Sequence, residues 1–143
     1  MRLQLITLRG VKLDEDIYEL IIPTAAGEIA VFPGHESLIS LAKSGVASVR
    51  RKKGDPDQKL ELYAITGGIL EVEKDVVKLL VDEAEHGDDI IEAESRAALE
   101  RAIKRRDESN DQVELYKANQ LIDRHQVRLQ VAGLHHRKHS NRQ

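Results

Sequence analysis

Hydrophobic positions in the first 81 residues recur mostly with the two-residue period of half-buried strands. The segments 3–8 (LQLITL), 17–22 (IYELII), 28–32 (EIAVF), 46–52 (VASVRRK), 60–65 (LELYAI), 68–73 (GILEVE) and 76–81 (VVKLLV) are short and rich in β-branched residues. In 60–65, Leu60, Leu62 and Ala64 alternate with Glu61 and Tyr63. Turn chemistry separates the segments at 24–27 (TAAG), Pro33-Gly34, 54–57 (GDPD), Gly67-Gly68 and Lys74-Asp75. Short strands at this spacing predict an antiparallel β-sandwich or flattened barrel.

After Val81 the pattern changes. Residues 82–89 are acidic and contain Gly87, and from Ile90 the apolar period becomes helical. Asp89 with Glu92 three residues on has the form of a capping box, aspartate standing in for serine or threonine. Ile91, Ala98, Leu99 and Ala102 form a stripe. Glu92/Arg96 and Glu100/Lys104 are i,i+4 pairs in the favourable order, together contributing under ~1 kcal/mol. The stretch 107–111 (DESND) breaks this helix, and Asp111 with Glu114 begins a second. There Leu115, Ala118, Ile122, His125, Leu129 and Ala132 repeat with 3,4 spacing, and Gly133 is expected to end the helix. The fold expected is α+β: an N-terminal β-sandwich over 1–87, an antiparallel two-helix hairpin over 88–134, and a disordered basic tail over 135–143. Neither helix buries much alone, so the hairpin must dock on something.

Composition sharpens this outline. Aromatic residues are 3% of the 143, so the core must be built from Val, Ile, Leu and Ala. There is no cysteine, which excludes disulfides and thiolate chemistry. No apolar run approaches the ~18 residues of a membrane span, and 1–9 lacks the pattern of a signal peptide, so a soluble intracellular protein is expected. The net charge of −3 is uneven: residues 1–88 hold 11 basic against 16 acidic side chains, and 89–143 hold 11 against 9. That asymmetry suits two parts facing different partners.

Enzyme signatures are absent. There is no phosphate loop, no dinucleotide-binding glycine pattern and no nucleophile elbow, and no carboxylate sits in an apolar stretch that would raise its pKa for acid–base work. No cofactor and no metal are expected. His135, His136 and His139 have chelating potential, but their loose spacing favours plain solvation. His125 in the helical seam reads as a rim histidine rather than a switch. The basic cluster Arg101, Lys104, Arg105 and Arg106 lacks interleaved aromatics and is surrounded by acids, so it suits an acidic protein surface better than nucleic acid.

Taken in order, GEIAVFPGHESLI at 27–39, YAITGGILEVEKDVVKLLVDEAE at 63–85 and the alanine-rich helical pair closely resemble the epsilon subunit of the bacterial and chloroplast F-type ATP synthase, over nearly the whole chain. One departure is Ala30, where that family usually has glycine. The resemblance implies a non-catalytic rotor subunit, bound to the gamma subunit and the c-subunit ring. It couples ion flow to ATP synthesis and inhibits hydrolysis by extending its hairpin toward the alpha/beta catalytic head. It implies c-ring contacts at Glu28 and His35, flanking a strand anchored by Ile29, Val31 and Phe32 and turned by Pro33-Gly34. It further implies that Arg101, Lys104, Arg105, Arg106, Arg124 and Arg128 meet gamma or the head. Some members bind ATP through a motif on the first helix and arginines on the second. Here Arg124 and Arg128 match, but Glu92 replaces aspartate and Arg96 comes one residue late, about 100° around the helix. ATP binding is therefore expected to be weak or absent. The implied location is peripheral, on the cytoplasmic face of a bacterial membrane, before a thylakoid. The competing readings are a free-standing regulatory module for another protein, and a nucleotide-sensing module.

Overall fold

The computed structural model describes residues 1–140, with side chains through Arg137. Its strands are β1 (Arg2–Thr7), β2 (Gly10–Asp16), β3 (Glu19–Thr24), β4 (Gly27–Val31), β5 (Leu38–Ala42), β6 (Gly45–Arg50), β7 (Glu61–Ile65), β8 (Gly68–Glu73), β9 (Val76–Val81) and β10 (Ala84–His86). They hydrogen-bond in the order β10-β7-β6-β3-β5-β8-β9-β1-β2, with β4 paired to β3. The sheet folds over on itself into a nearly closed sandwich. All pairings are antiparallel except β1 with β9, where Leu3 lies beside Val77 and Leu5 beside Leu79.

Three strands escape the sequence pattern. In β2, GVKLDED, only Leu13 is buried, so the strand carries almost no apolar signal. β5 is broken from the 28–32 run only by the polar loop, and β10 is three residues long. The core follows the alternation elsewhere: Leu3 and Leu5, Leu20 and Ile22, Leu70 and Val72, Val77 and Leu79 all point inward and are buried. Val31 is fully buried and Ile29 packs at the edge of the core. Phe32 does not anchor the strand inside, as expected above; it is 41% exposed and meets Tyr18 edge-on at 5.6 Å, because the chain turns out of the sheet just after Val31.

Two glycines are dictated by geometry. Gly34 has φ +83° in the turn that ends β4, and its N–H donates to Asp75 Oδ1 at 3.3 Å. Gly68 opens β8 against β9, where a Cβ would stand 1.9 Å from the Leu80 carbonyl oxygen. Beside it Thr66 reaches back to the junction after β9: its Oγ1 accepts from Glu83 N at 2.9 Å, and its own N–H donates to Glu83 O at 3.1 Å.

The hairpin consists of α1 (Glu92–Glu108) and α2 (Gln112–Ser140). The expected capping box at Asp89 and Glu92 does not form. Asp89 ends a 3-10 turn, Gly87–Asp89, that His86 caps by accepting from Asp88 N at 3.0 Å, and Glu92 pairs forward with Arg96 at 2.7 Å. Ile90 stays extended and packs against the apolar patch under the hairpin, so α1 starts later. The second start is as expected at Asp111, whose Oδ1 accepts from Val113 N at 3.1 Å, but Glu114 turns to Arg105 at 3.6 Å. α2 does not stop at Gly133. An interior glycine costs only ~1 kcal/mol, less than is gained by burying Val131 and Ala132 on one side and packing Leu134 on the next turn. Residues 135–140 are therefore helical rather than a disordered tail, and 141–143 lie outside the described residues.

α2 is the helix that docks. α1 packs on it, with Ser95 and Ala102 buried in α1 and Ala118, Ile122 and Ala132 buried in α2; Leu115, His125 and Leu129 of the expected seam are half-buried. A second stripe, Val127, Val131 and Leu134, covers the outward residues Leu62 and Ala64 of β7 and Val46 of β6.

Candidate docking surfaces

The sandwich has two broad outer faces, and the hairpin covers the one on β6 and β7. The opposite face, on β5, β8, β9, β1 and β2, is open and apolar. Strand registers bring Leu41 beside Ile69, Ile69 beside Leu80, Leu80 beside Ile6 and Ile6 beside Val11. The result is one apolar row across five adjacent strands. Leu41, Ile69, Leu80 and Val11 are 63%, 47%, 41% and 65% exposed, and Ile39 and Leu8 beside them are 75% and 82% exposed. Scattered exposed leucines need no explanation, but a contiguous row does. Covering the exposed part of these six side chains would contribute on the order of 5–10 kcal/mol before the cost of association. The signal was present in the sequence as adjacent apolar pairs that break the alternation: Leu5-Ile6, Ile69-Leu70 and Leu79-Leu80.

Glu28 and His35 are both exposed but are not neighbours. Glu28 sits at the start of β4, opposite Pro23, whereas His35 lies past its far end, with its N–H donating to Phe32 O at 3.1 Å. The step from Glu28 to Phe32 alone spans ~13 Å of strand. His35 Nδ1 lies 2.7 Å from Glu36 O, which assigns the ring proton to Nδ1.

The arginines of α2 face inward, onto the acidic junction. Arg124 Nε is 3.3 Å from Glu83, the residue that Thr66 holds, and Arg128 donates from Nη2 to Glu85 at 2.9 Å, with Nε 2.7 Å from the same carboxylate but outside hydrogen-bond geometry. One turn beyond Val131, His135 Nε2 is 2.7 Å from Asp88 Oδ1, and His136 is 3.3 Å from Glu92. Basic residues of α2 thus meet Glu83, Glu85, Asp88 and Glu92 in order along the helix. His125 lies on the same helix; burial, then Arg128, Arg124 and Arg101, hold its pKa below the ordinary histidine value. Arg101 and Lys104 are exposed on α1, while Arg105 pairs with Glu114 and Arg106 approaches Asp107 at 3.3 Å.

The four residues of the nucleotide motif are not gathered. Arg124 and Arg128 line a 530 Å³ cleft between α2, the β1–β2 turn and the junction, where Arg9 and Lys12 are balanced by Asp82, Glu83, Glu85 and Asp89. Glu92 and Arg96 pair with each other on an open flank of α1. Among the described residues no group of three or more His, Asp or Glu is placed to hold a metal ion; the His139 side chain lies outside the described residues.

Residues 1–87 match the family model of the ATP synthase Delta/Epsilon chain beta-sandwich domain. The ATP synthase epsilon chain of Rippkaea orientalis is 35% identical over 136 residues, covering 93% of this chain and 96% of that one. The epsilon chain of Trichodesmium erythraeum is 37% identical over 123 residues, covering 84% and 86%. A chain of the Euglena gracilis mitochondrial ATP synthase OSCP/F1/c-ring structure superposes with TM-score 0.74 at 26% identity, over 93% of this chain and 80% of its own. A chain of the Tetrahymena thermophila central stalk/c-ring structure shares the fold, with TM-score 0.59 at 12% identity. With sandwich and hairpin matched together along nearly its whole length, the chain belongs to the ATP synthase epsilon-chain family, whose members are accessory rather than catalytic subunits.

Proposed function

We propose that this chain is the epsilon subunit of the central stalk of a proton-translocating F-type ATP synthase, docked on gamma through its open apolar face and resting on the c ring. It would couple rotation to synthesis, and its hairpin would restrain ATP hydrolysis at the alpha/beta head. The observation that carries this is the division of the sandwich: one outer face is covered by the chain's own α2, and the other presents a row of aliphatic side chains to a partner. The relatives and the complexes in which the similar chains occur agree with that assignment. Attachment to the membrane is peripheral in this reading, since among the described residues no helix is long and apolar enough to cross it. The cyanobacterial relatives make a thylakoid membrane as good a location as the cell membrane.

Because Glu28 and His35 stand at opposite ends of β4, each would touch the c ring as a separate rim contact, and alanine at either should cost ~1 kcal/mol or less of binding. The hairpin is suited to release because a small apolar patch and partly exposed ion pairs hold it. Arg124 and Arg128 are already matched by carboxylates, and Glu92 and Arg96 lie elsewhere, which supports weak or absent ATP binding. The test is binding of purified gamma to the full chain and to an Ile69→Lys, Leu80→Lys variant. One-to-one binding lost in the variant, with the sandwich still folded, is the result expected; equal binding by both would overturn the docking face. Hydrolysis by complexes carrying the chain truncated after Gly87 should rise above that with the full chain, and an unchanged rate would remove the inhibitory role.

A further inference from the structure

We infer that the docked hairpin is fastened at its far end by a titratable latch, His135 on Asp88, so that docking weakens as pH rises through neutrality. The two residues stand 2.7 Å apart, Nε2 to Oδ1, at the point where α2 passes the 3-10 turn leading into α1. Gly87 packs directly beneath: a Cβ there would lie 3.3 Å from His135 Nδ1, so the ring is seated against backbone rather than hanging in solvent. A charged imidazole adds to its hydrogen bond with a carboxylate a charge–charge attraction that a neutral one lacks. Protonation of His135 and docking of α2 therefore favour each other.

Other charges around the latch set its sign and limits. His86 of β10 accepts the Asp88 N–H on Nδ1 at 3.0 Å, and the same nitrogen lies 3.5 Å from Asp88 Oδ2, so a second imidazole faces this carboxylate. Across a 440 Å³ cavity stand Arg51, Lys52, Asp55, Lys59 and Glu61. Arg51 is engaged by Glu15 and Glu61, and Lys59 lies 3.8 Å from Asp55. From α1, Glu92 faces His136 at 3.3 Å. The pairs Arg124–Glu83 and Arg128–Glu85 form the rest of the ionic attachment. His125 acts in the opposite sense: held neutral by burial and by its arginine neighbours, it opposes docking when it charges, so its contribution is lost as pH falls below the ordinary histidine value of ~6.5. The His135 contribution is present while the ring carries its second proton beside Asp88 and is lost as rising pH removes it. Docking is strongest between these two arms.

This device resembles nothing in the nucleotide motif, which uses other residues. Docking of the hairpin on its own sandwich does not depend on whether the arm reaches a catalytic head, so the hydrolysis assay and the following experiment fail separately. The chain has no cysteine, so Lys53→Cys and Gln130→Cys, both exposed, give a clean pair for a spin-label or fluorescence distance across sandwich and α2. Measured on the full chain in a Val131→Ala background, which weakens docking, the docked-to-released ratio should fall about three- to tenfold between pH 6.5 and 8 at constant ionic strength. His135→Gln and, independently, Asp88→Asn should flatten that limb while leaving the acid-side decline. A ratio constant from pH 6.5 to 8, or a slope that survives His135→Gln, would overturn the latch.

Discussion

Val131 is fully buried between α2 and β7, and Val131→Ala tests how the hairpin is held. The change removes two carbons, worth ~1.6 kcal/mol in transfer, and leaves a small cavity beside Leu62 and Ala64; together the loss is about 2 kcal/mol. Little else compensates. The apolar patch is completed by Val127, Val46, Leu60, Ile90 and Leu134, and the pairs Arg124–Glu83 and Arg128–Glu85 are partly exposed, worth roughly 0–1 kcal/mol each. The sandwich core, centred on Leu5, Leu20, Ile22, Leu70 and Leu79, does not include Val131. The docked-to-released ratio should therefore fall about thirtyfold while the sandwich stays intact. Hydrogen exchange followed by mass spectrometry resolves the two: α2 amides should exchange about thirtyfold faster and those of β3, β8 and β9 at their former rate. If sandwich and α2 accelerate together, the hairpin is part of one cooperative unit and the two-body description is wrong. If neither changes, the patch is not what holds the arm.

Gly68→Ala would drive a methyl into the Leu80 carbonyl, and the strand shift this forces should cost about 2–4 kcal/mol of sandwich stability in a urea titration; a loss under ~1 kcal/mol would mean β8 and β9 separate freely there. Tyr63 is buried, and desolvation followed by Glu61 pushes its pKa up to about 12. The unfolded chain therefore ionises first, stability falls between pH 10 and 12, and a late absorbance step at 295 nm should vanish in Tyr63→Phe, with no tryptophan to obscure it. Ser95 Oγ is buried in the hairpin without a protein hydrogen-bond partner, so Ser95→Ala should strengthen α1–α2 pairing by about 1 kcal/mol, read as slower exchange of α1 amides; faster exchange would show that the hydroxyl is satisfied.

Legibility in the sequence tracked the strength of local patterns. β1, β3, β7, β8 and β9 announced themselves because one face of each is core, and the change at Val81 from strand to helix period is where the sandwich gives way to the junction. β2 was invisible because an edge strand with one buried residue has no alternation to read. The end of α2 was misplaced because Gly133 is a stop signal only when nothing downstream packs, and Leu134 and His135 do. The heptad seam found the face of α2 toward α1 but not the Val127–Val131 stripe, since a helix docked on both sides carries two overlapping periods. Glu28 and His35 were readable as residues around a turn, but their separation along β4 is a matter of register. The pairing of 124, 128 and 135 with 83, 85 and 88 is likewise set by how α2 lies along β10, which no local spacing reveals.

The account stands or falls on the open apolar face being the surface that assembly covers. A single cysteine placed as Ile69→Cys, in a chain that otherwise has none, should react readily with a maleimide in the isolated subunit, where Ile69 is 47% exposed. In the reconstituted ATP synthase its labelling rate should fall more than about tenfold, as for a side chain in the desolvated centre of an interface, whereas a cysteine at Lys53 should keep its rate. Equal labelling of Ile69→Cys before and after assembly would contradict the account, because the complex would then leave this face to water.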